Sequence, residues 1–216
     1  MERSAKRPKR RYHAPNRAAA AARTREAVVR AAKEQFEEVG WAGTTMRSVA
    51  EVAGVSLKTV EAQFRTKAAL LQLAVDYAIR GDLDPLPMPQ RERVAEMEAA
   101  PDAETMLRLH AAHLRTINGR SARIAWAVEH AAAGDPAVAP LWKQMNSNRS
   151  FAVDWATRTL LAKPGRRRGL RRRTVEAIFW NTLDWGTYRT LTEHAGLTPH
   201  AFQRWLESYY RATLLG

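Results

Sequence analysis

TTMRSVAEVAGVSLKTVEAQFRTKAALL (Thr44 to Leu71) holds two short amphipathic segments with a glycine between them. Thr44-Thr45 opens the first, which carries Val49, Ala50 and Ala53 on one face and closes at Gly54. Ser56 caps the second, whose apolar positions are Val60 and Phe64. Two short helices joined by a tight glycine-containing turn make a helix-turn-helix. Ala50 is the small residue that lets the helices cross, Gly54 supplies the positive-φ turn, and Val60 is the apolar plug.

Burying Val60 and Phe64 leaves Leu57, Lys58, Thr59, Glu61, Ala62 and Gln63 to face a groove. Lys58 suits guanine O6/N7 and Gln63 suits adenine or a phosphate, while Leu57, Thr59 and Ala62 offer methyl groups to thymine. Arg47, on the polar face of the first helix, suits two-pronged binding of guanine. Thr45, Ser56 and Lys67 fall at helix N-termini, where backbone N–H groups and a cation suit phosphate oxygens.

Working outward, an alanine-rich helix is expected from Arg17, with Val28, Ala31, Ala32, Phe36 and Val39 inward and Gly40 as its stop. Residues 1–16 carry six cations between Arg3 and Arg11 and read as a disordered basic arm able to contact DNA. Lys67 begins a fourth helix, with Leu70, Leu71, Ala74, Val75 and Ala78 inward. The proline-rich stretch from Gly81 to Pro89 reads as a linker. Beyond it the periodicity predicts helices over roughly 90–99, 102–118, 120–133, 137–162, 172–195 and 199–214. No strand alternation and no repeat is visible. The expected fold is all-α: a helix-turn-helix domain over 17–66 and a second helical domain over 67–216.

Charge follows the same division. The chain has 35 Lys plus Arg against 22 Asp plus Glu, a net +13. Residues 1–67 hold +8 of it, and the segment from Lys163 to Arg173 (KPGRRRGLRRR) adds seven positive charges, leaving the rest at −2. That distribution fits a nucleic-acid module joined to an ordinary domain. The arginine segment reads as a solvated loop. With no cysteine, disulfides, Cys-ligated zinc and thiol nucleophiles are excluded. No apolar run reaches membrane-spanning length and the N-terminus has no apolar signal core, so a cytoplasmic protein is expected. Catalytic motifs (G-x-S-x-G, H-E-x-x-H, a phosphate-binding glycine loop) are missing, and the expectation is a protein without enzymatic activity, cofactor or metal.

Thr44 to Leu71, with the preceding Trp41 and Gly43, resembles the TetR family of bacterial transcriptional regulators. A weaker likeness runs over Asp135 to Trp142 (DPAVAPLW) and from Thr174 onward. Two positions depart from the family pattern: Glu61 stands where a phosphate-contacting tyrosine is most common, and Lys58 where glycine is frequent. The resemblance implies a homodimer that binds double-stranded DNA, self-associating mainly through helices near 137–162 and 172–195. It further implies a small-molecule effector whose binding releases a repressor from a palindromic operator. For that effector, Met106, His110, His113, Trp126, His130, Met145 and Phe151 are the expected lining, suited to an apolar molecule with one or two polar anchors. His110 and His113 have no acidic partner at metal spacing. Trp180, Trp185, Tyr188 and Trp205 read as core or dimer interface. The alternative is a non-specific nucleic-acid binder using the basic arm and the arginine segment.

Overall fold

The computed structural model describes residues 14–216, and among them every regular element is helical. In order these are α1 (Ala14–Gly43), α2 (Met46–Val52), α3 (Leu57–Gln63), α4 (Lys67–Arg80), α5 (Glu92–Ala99), α6 (Ala103–Ala132), α7 (Ala139–Leu161), α8 (Arg172–Thr182), α9 (Trp185–Arg189) and α10 (Pro199–Leu214). The expected arm falls largely outside the described residues, and α1 starts at Ala14 rather than Arg17. Its last turn is kinked at Gly40.

Local signals set the helix ends in the first third. Thr45, Ser56 and Thr66 each accept a backbone N–H three residues on, from Ser48, Thr59 and Ala69, satisfying donors that a helix start leaves free. Gly54, at φ +67, makes the turn between α2 and α3. Val28, Val29, Phe36, Val49, Ala50 and Val60 form the core of this head. Leu70, Leu71, Ala74 and Val75 of α4 join the same cluster, and so do Ile124, Ala125 and Val128 of α6. Helix α4 packs on both α1 and α6, so its apolar residues join this core from beyond residue 66.

A second core gathers Met97 of α5, Met106 and Leu107 of α6, Leu160 of α7, Phe179 of α8, and Phe202, Leu206 and Tyr210 of α10. Helix α6 contributes to both cores and is one helix of 30 residues, not two. Gly119, the expected break, lies within it, and a Cβ there would stand 3.3 Å from the Tyr188 hydroxyl. Conversely, 172–195 is not one helix. Asp184 accepts the Thr187 N–H through Oδ2 and starts α9, and a π-helical turn (Thr190–His194) follows.

Two segments read as loose are tied down. Arg91 grips the proline-rich stretch, donating to both Asp82 carboxylate oxygens at 2.8 and 2.9 Å and to the carbonyls of Asp84 and Leu86. These bonds hold the Asp82 carboxyl down at about 2. The Lys163–Arg173 segment is not merely solvated. Lys163 donates to the carbonyls of Glu98 and Ala100 at the end of α5, and Arg167 to those of Ala212 and Leu215 at the end of α10. Cations over helix C-termini satisfy carbonyls that lack intrahelical partners and oppose the helix dipole. Arg172 pairs with Asp154 and Glu176, while Arg168, Arg171 and Arg173 are exposed.

Candidate nucleic-acid interface and internal cavity

The short α3 turns Val60 and, just past its end, Phe64 into the head and leaves Lys58, Glu61 and Ala62 exposed, with Leu57, Thr59 and Gln63 half-buried. Ser56 Oγ also lies 2.8 Å from Thr59 Oγ1, so both hydroxyls serve the cap. Thr45 and Ser48 bond reciprocally at the start of α2, which leaves Arg47 exposed beside α3. The result is a face with one exposed cation on each of two packed helices. Its polar and methyl groups suit a major groove.

Lys67 is differently placed from the rest. Its Nζ donates to the Trp41 carbonyl at 2.7 Å and the Thr44 carbonyl at 3.0 Å, and lies 4.0 Å from the Trp41 ring centre. Burial lowers its pKa, opposed by the charge of Asp135. Trp41 in turn stacks on Phe36 and donates its indole N–H to Asp135 Oδ2 at 2.6 Å. Asp135 lies in the turn before α7, where its Oδ1 accepts the Ala137 N–H. One indole thus joins the α1–α2 turn, the start of α4 and the start of α7.

Between α4, α6 and α7 lies a cavity of about 420 Å³, closed on one side by Pro87, Met88 and Pro89. Of the expected lining residues, His110, His113, Met145 and Phe151 are on its wall. Met106 is instead fully buried in the second core. Trp126 and His130 lie outside the cavity: Trp126 is 43% exposed, packs on His130 with ring centres 4.2 Å apart, and carries the Arg189 guanidinium at 4.5 Å. Helical spacing places those two residues on the outer face of α6, which periodicity alone does not distinguish from a cavity face.

Both cavity histidines are held neutral. Burial lowers His110 to about 3, with the neighbouring His113 adding to the effect. Burial lowers His113 to about 4, helped by Arg93 and Arg120. His110 Nδ1 is 2.9 Å from Tyr210 Oη, which donates to Thr182 Oγ1, which donates to the Phe179 carbonyl. This direction of donation places the imidazole proton on Nδ1. Among the described residues no cluster of three His, Asp or Glu side chains stands together as a metal site needs.

Several wall residues escaped sequence reasoning. Asn118 (2% exposed) has an amide nitrogen with no hydrogen-bond partner, and Arg149 has an unpartnered Nε although its Nη1 donates to Asp184 at 2.5 Å. Arg120 donates to the carbonyls of Ala78 and Ile79, clasping the end of α4 from α6. The signal in the sequence was a polar residue on a largely apolar stripe: Asn118 follows Leu114 and Ile117 and precedes Ala122 and Ala125. No helix among the described residues is long and apolar enough to cross a membrane.

Comparison with known proteins agrees with this geometry. Residues 28–74 match the family model of bacterial regulatory proteins, tetR family. No curated protein matches the sequence. Among solved structures, the chain is similar to NalD of Pseudomonas aeruginosa, the secondary repressor of the MexAB-OprM multidrug efflux pump, at 19% identity, with a TM-score of 0.66 over 89% of this chain and 96% of that one. It is similar to a transcriptional regulator of Saccharomonospora viridis in complex with choline, at 16% identity and a TM-score of 0.66, covering 90% and 98% of the two chains. A third is a transcriptional regulator from Rhodococcus sp., at 17% identity and a TM-score of 0.58, covering 88% and 95%. Residues 28–74 thus carry the helix-turn-helix pattern of the bacterial regulatory proteins of the tetR family, and nearly the whole chain shares the fold of the solved regulators it is similar to.

Proposed function

We propose that the chain is a homodimeric, non-enzymatic, cytoplasmic repressor, released from a palindromic operator when a small molecule enters the α4–α6–α7 cavity. The observation that carries this reading is the double membership of α4. Its Leu70, Leu71 and Ala74 pack in the core of the head, while its Asp76, Ile79 and Arg80 line the cavity. A ligand that favours one position of α4 therefore moves the head, and its leverage equals its difference in affinity between the two states.

In the DNA-bound state the α3 helices of two copies enter successive major grooves about 34–36 Å apart. Arg47, Lys58 and Gln63 face base edges, Leu57, Thr59 and Ala62 offer methyl groups, and Thr45 and Ser56 lie over phosphates. Glu61 accepts from cytosine N4. Two copies join across the segments 137–162 and 172–195, where Phe151 and Trp180 are exposed at 55% and 37%. The repressor role printed for NalD and the bound choline in the Saccharomonospora protein support the sense of regulation and the presence of a ligand.

In vitro selection from random duplexes tests the reading: it should enrich a palindrome. Arg47→Ala and Lys58→Ala should each weaken that operator by about 1–3 kcal/mol in gel-shift titration and relax preference at particular positions. Selection without enrichment, or a specificity ratio below about 10³ over random DNA, would make the protein a non-specific binder instead.

A further inference from the structure

We propose that the α4–α6–α7 cavity selects an apolar molecule carrying a carbonyl oxygen, and that Asn118 Nδ2 and Arg149 Nε are the two donors that receive it. The proposal rests on the effector reading for its biological use and on the cavity alone for its chemistry.

Asn118 and Arg149 both line the cavity, one on α6 and the other on α7. Each presents an N–H that is buried and has no acceptor in the protein. Buried donors are satisfied in nearly all folded proteins, so two orphans on one cavity wall mark a place where something else accepts. Trp185 lines the same cavity. Its indole N–H donates to Ser121 Oγ at 3.0 Å, one turn along α6 from Asn118, and its ring centre is 5.9 Å from the Arg149 guanidinium carbon. Leu114, Ile117, Met97 and Met145 supply apolar surface to the same cavity. A ligand ammonium would set donor against donor here; a carbonyl oxygen, with two lone pairs, meets both.

The surrounding charge points the same way. A second cavity of about 390 Å³ shares Arg80, His113 and Ile117 with the first. Five arginines line it (Arg80, Arg91, Arg93, Arg115 and Arg120) against one acid, Glu92. The one carboxylate on the wall of the first cavity, Asp76, lies 3.8 Å from Arg80. Arg80, Arg91 and Arg93 are paired with Asp76, Asp82 and Glu96, which leaves Arg115 and Arg120 against Glu92, a small positive excess that disfavours cations. Ketones, esters, amides and carboxylates share the required oxygen.

The test uses the full chain without DNA. The probes are 2-octanone, octanoate, 1-chlorooctane and octyltrimethylammonium, followed by calorimetry and by the fluorescence of Trp155 and Trp185 on the wall. 2-Octanone or octanoate should bind about tenfold tighter than 1-chlorooctane, which has no comparable acceptor, and the ammonium should bind weakest. Asn118→Leu, close in volume and without the amide, should cut the carbonyl preference to about twofold while keeping 1-chlorooctane affinity. If that variant does not fold, Arg149→Lys deletes Nε, keeps the charge beside Asp184, and is read in the same way. Tighter ketone binding identifies a neutral carbonyl as the fitting group and tighter octanoate an anion, and both support the proposal. Ammonium binding as tight as the ketone, a preference that survives both substitutions, or no response to any probe overturns it. Loss of operator recognition would leave these titrations unchanged, so the two readings fail separately.

Discussion

Lys67 sits at the start of α4, where a cation suits a phosphate, yet its side chain turns inward to two carbonyls and an indole. Thr44, whose carbonyl is one of the two acceptors, is fully buried, so removing the ammonium strands an acceptor that water reaches poorly. Lys67→Met should therefore lower the stability of the protein by about 1–3 kcal/mol in urea titration. A phosphate contact would behave differently: stability would hold, and the salt dependence of operator binding would fall by about one unit of slope. Measuring both in one variant separates the roles. The same arrangement gives Asp135 a function that its position in a turn does not announce. Through Trp41 it fixes the α1–α2 turn to the start of α7, whose next turns carry Met145 and Arg149 to the cavity. A residue at that joint feels both the ligand and the head.

At the scale of elements, the joint between α4 and α6 is the tightest fit. Gly81 ends α4 at φ +90, and a Cβ there would come 2.3 Å from Arg120 Nη1, the side chain that clasps the last carbonyls of α4. Gly54, at φ +67 in the α2–α3 turn, has open space where its Cβ would be. Gly54→Ala should cost about 1–2 kcal/mol from backbone strain alone. Gly81→Ala should cost more, because it also displaces the Arg120 clasp, and its denaturation midpoint should fall further. Equal midpoints would mean that Arg120 relaxes freely. The elements legible in the sequence were those set by their own residues. Caps at Thr45 and Ser56, the turn at Gly54 and the stripe on α4 all act within a few positions. What stayed hidden depends on distant partners: Gly119 stays helical against Tyr188, Asp184 breaks the run from 172 while holding Arg149, and Arg91 folds a proline-rich stretch into a wall. The cavity was half legible for the same reason. Spacing put His110 and His113 on one face with Ile117, but which face met α7 was decided by packing, and Trp126 and His130 turned outward.

Over the whole molecule, the two cores meet on α6 between Ala122 and Ile124, and the cavity histidines lie further back on that helix, beside the second core. His110 and His113 fold as neutral groups, with values of about 3 and about 4 against an ordinary value of 6.5. Below pH 6.5 the unfolded chain takes up protons that the folded chain refuses, so acid favours unfolding. Their contribution is complete above pH 6.5 and is lost as pH falls through 6.5 toward 4. The slope is at most about 1.4 kcal/mol per pH unit for each histidine. Urea midpoints should accordingly hold between pH 8 and 7 and drop between pH 6.5 and 5. Asp82, held at about 2, releases its contribution only in stronger acid and does not confuse that window. His113→Gln should flatten the drop by its share without altering the plateau at pH 8 by a comparable amount. A ligand filling the cavity binds the neutral rings that the folded chain already holds, so its affinity should stay level down to pH 5 and weaken only near pH 4, where the folded chain begins to take up protons. A midpoint unchanged from pH 8 to pH 5 would mean that water reaches both imidazoles and that the cavity is open on the α6 side.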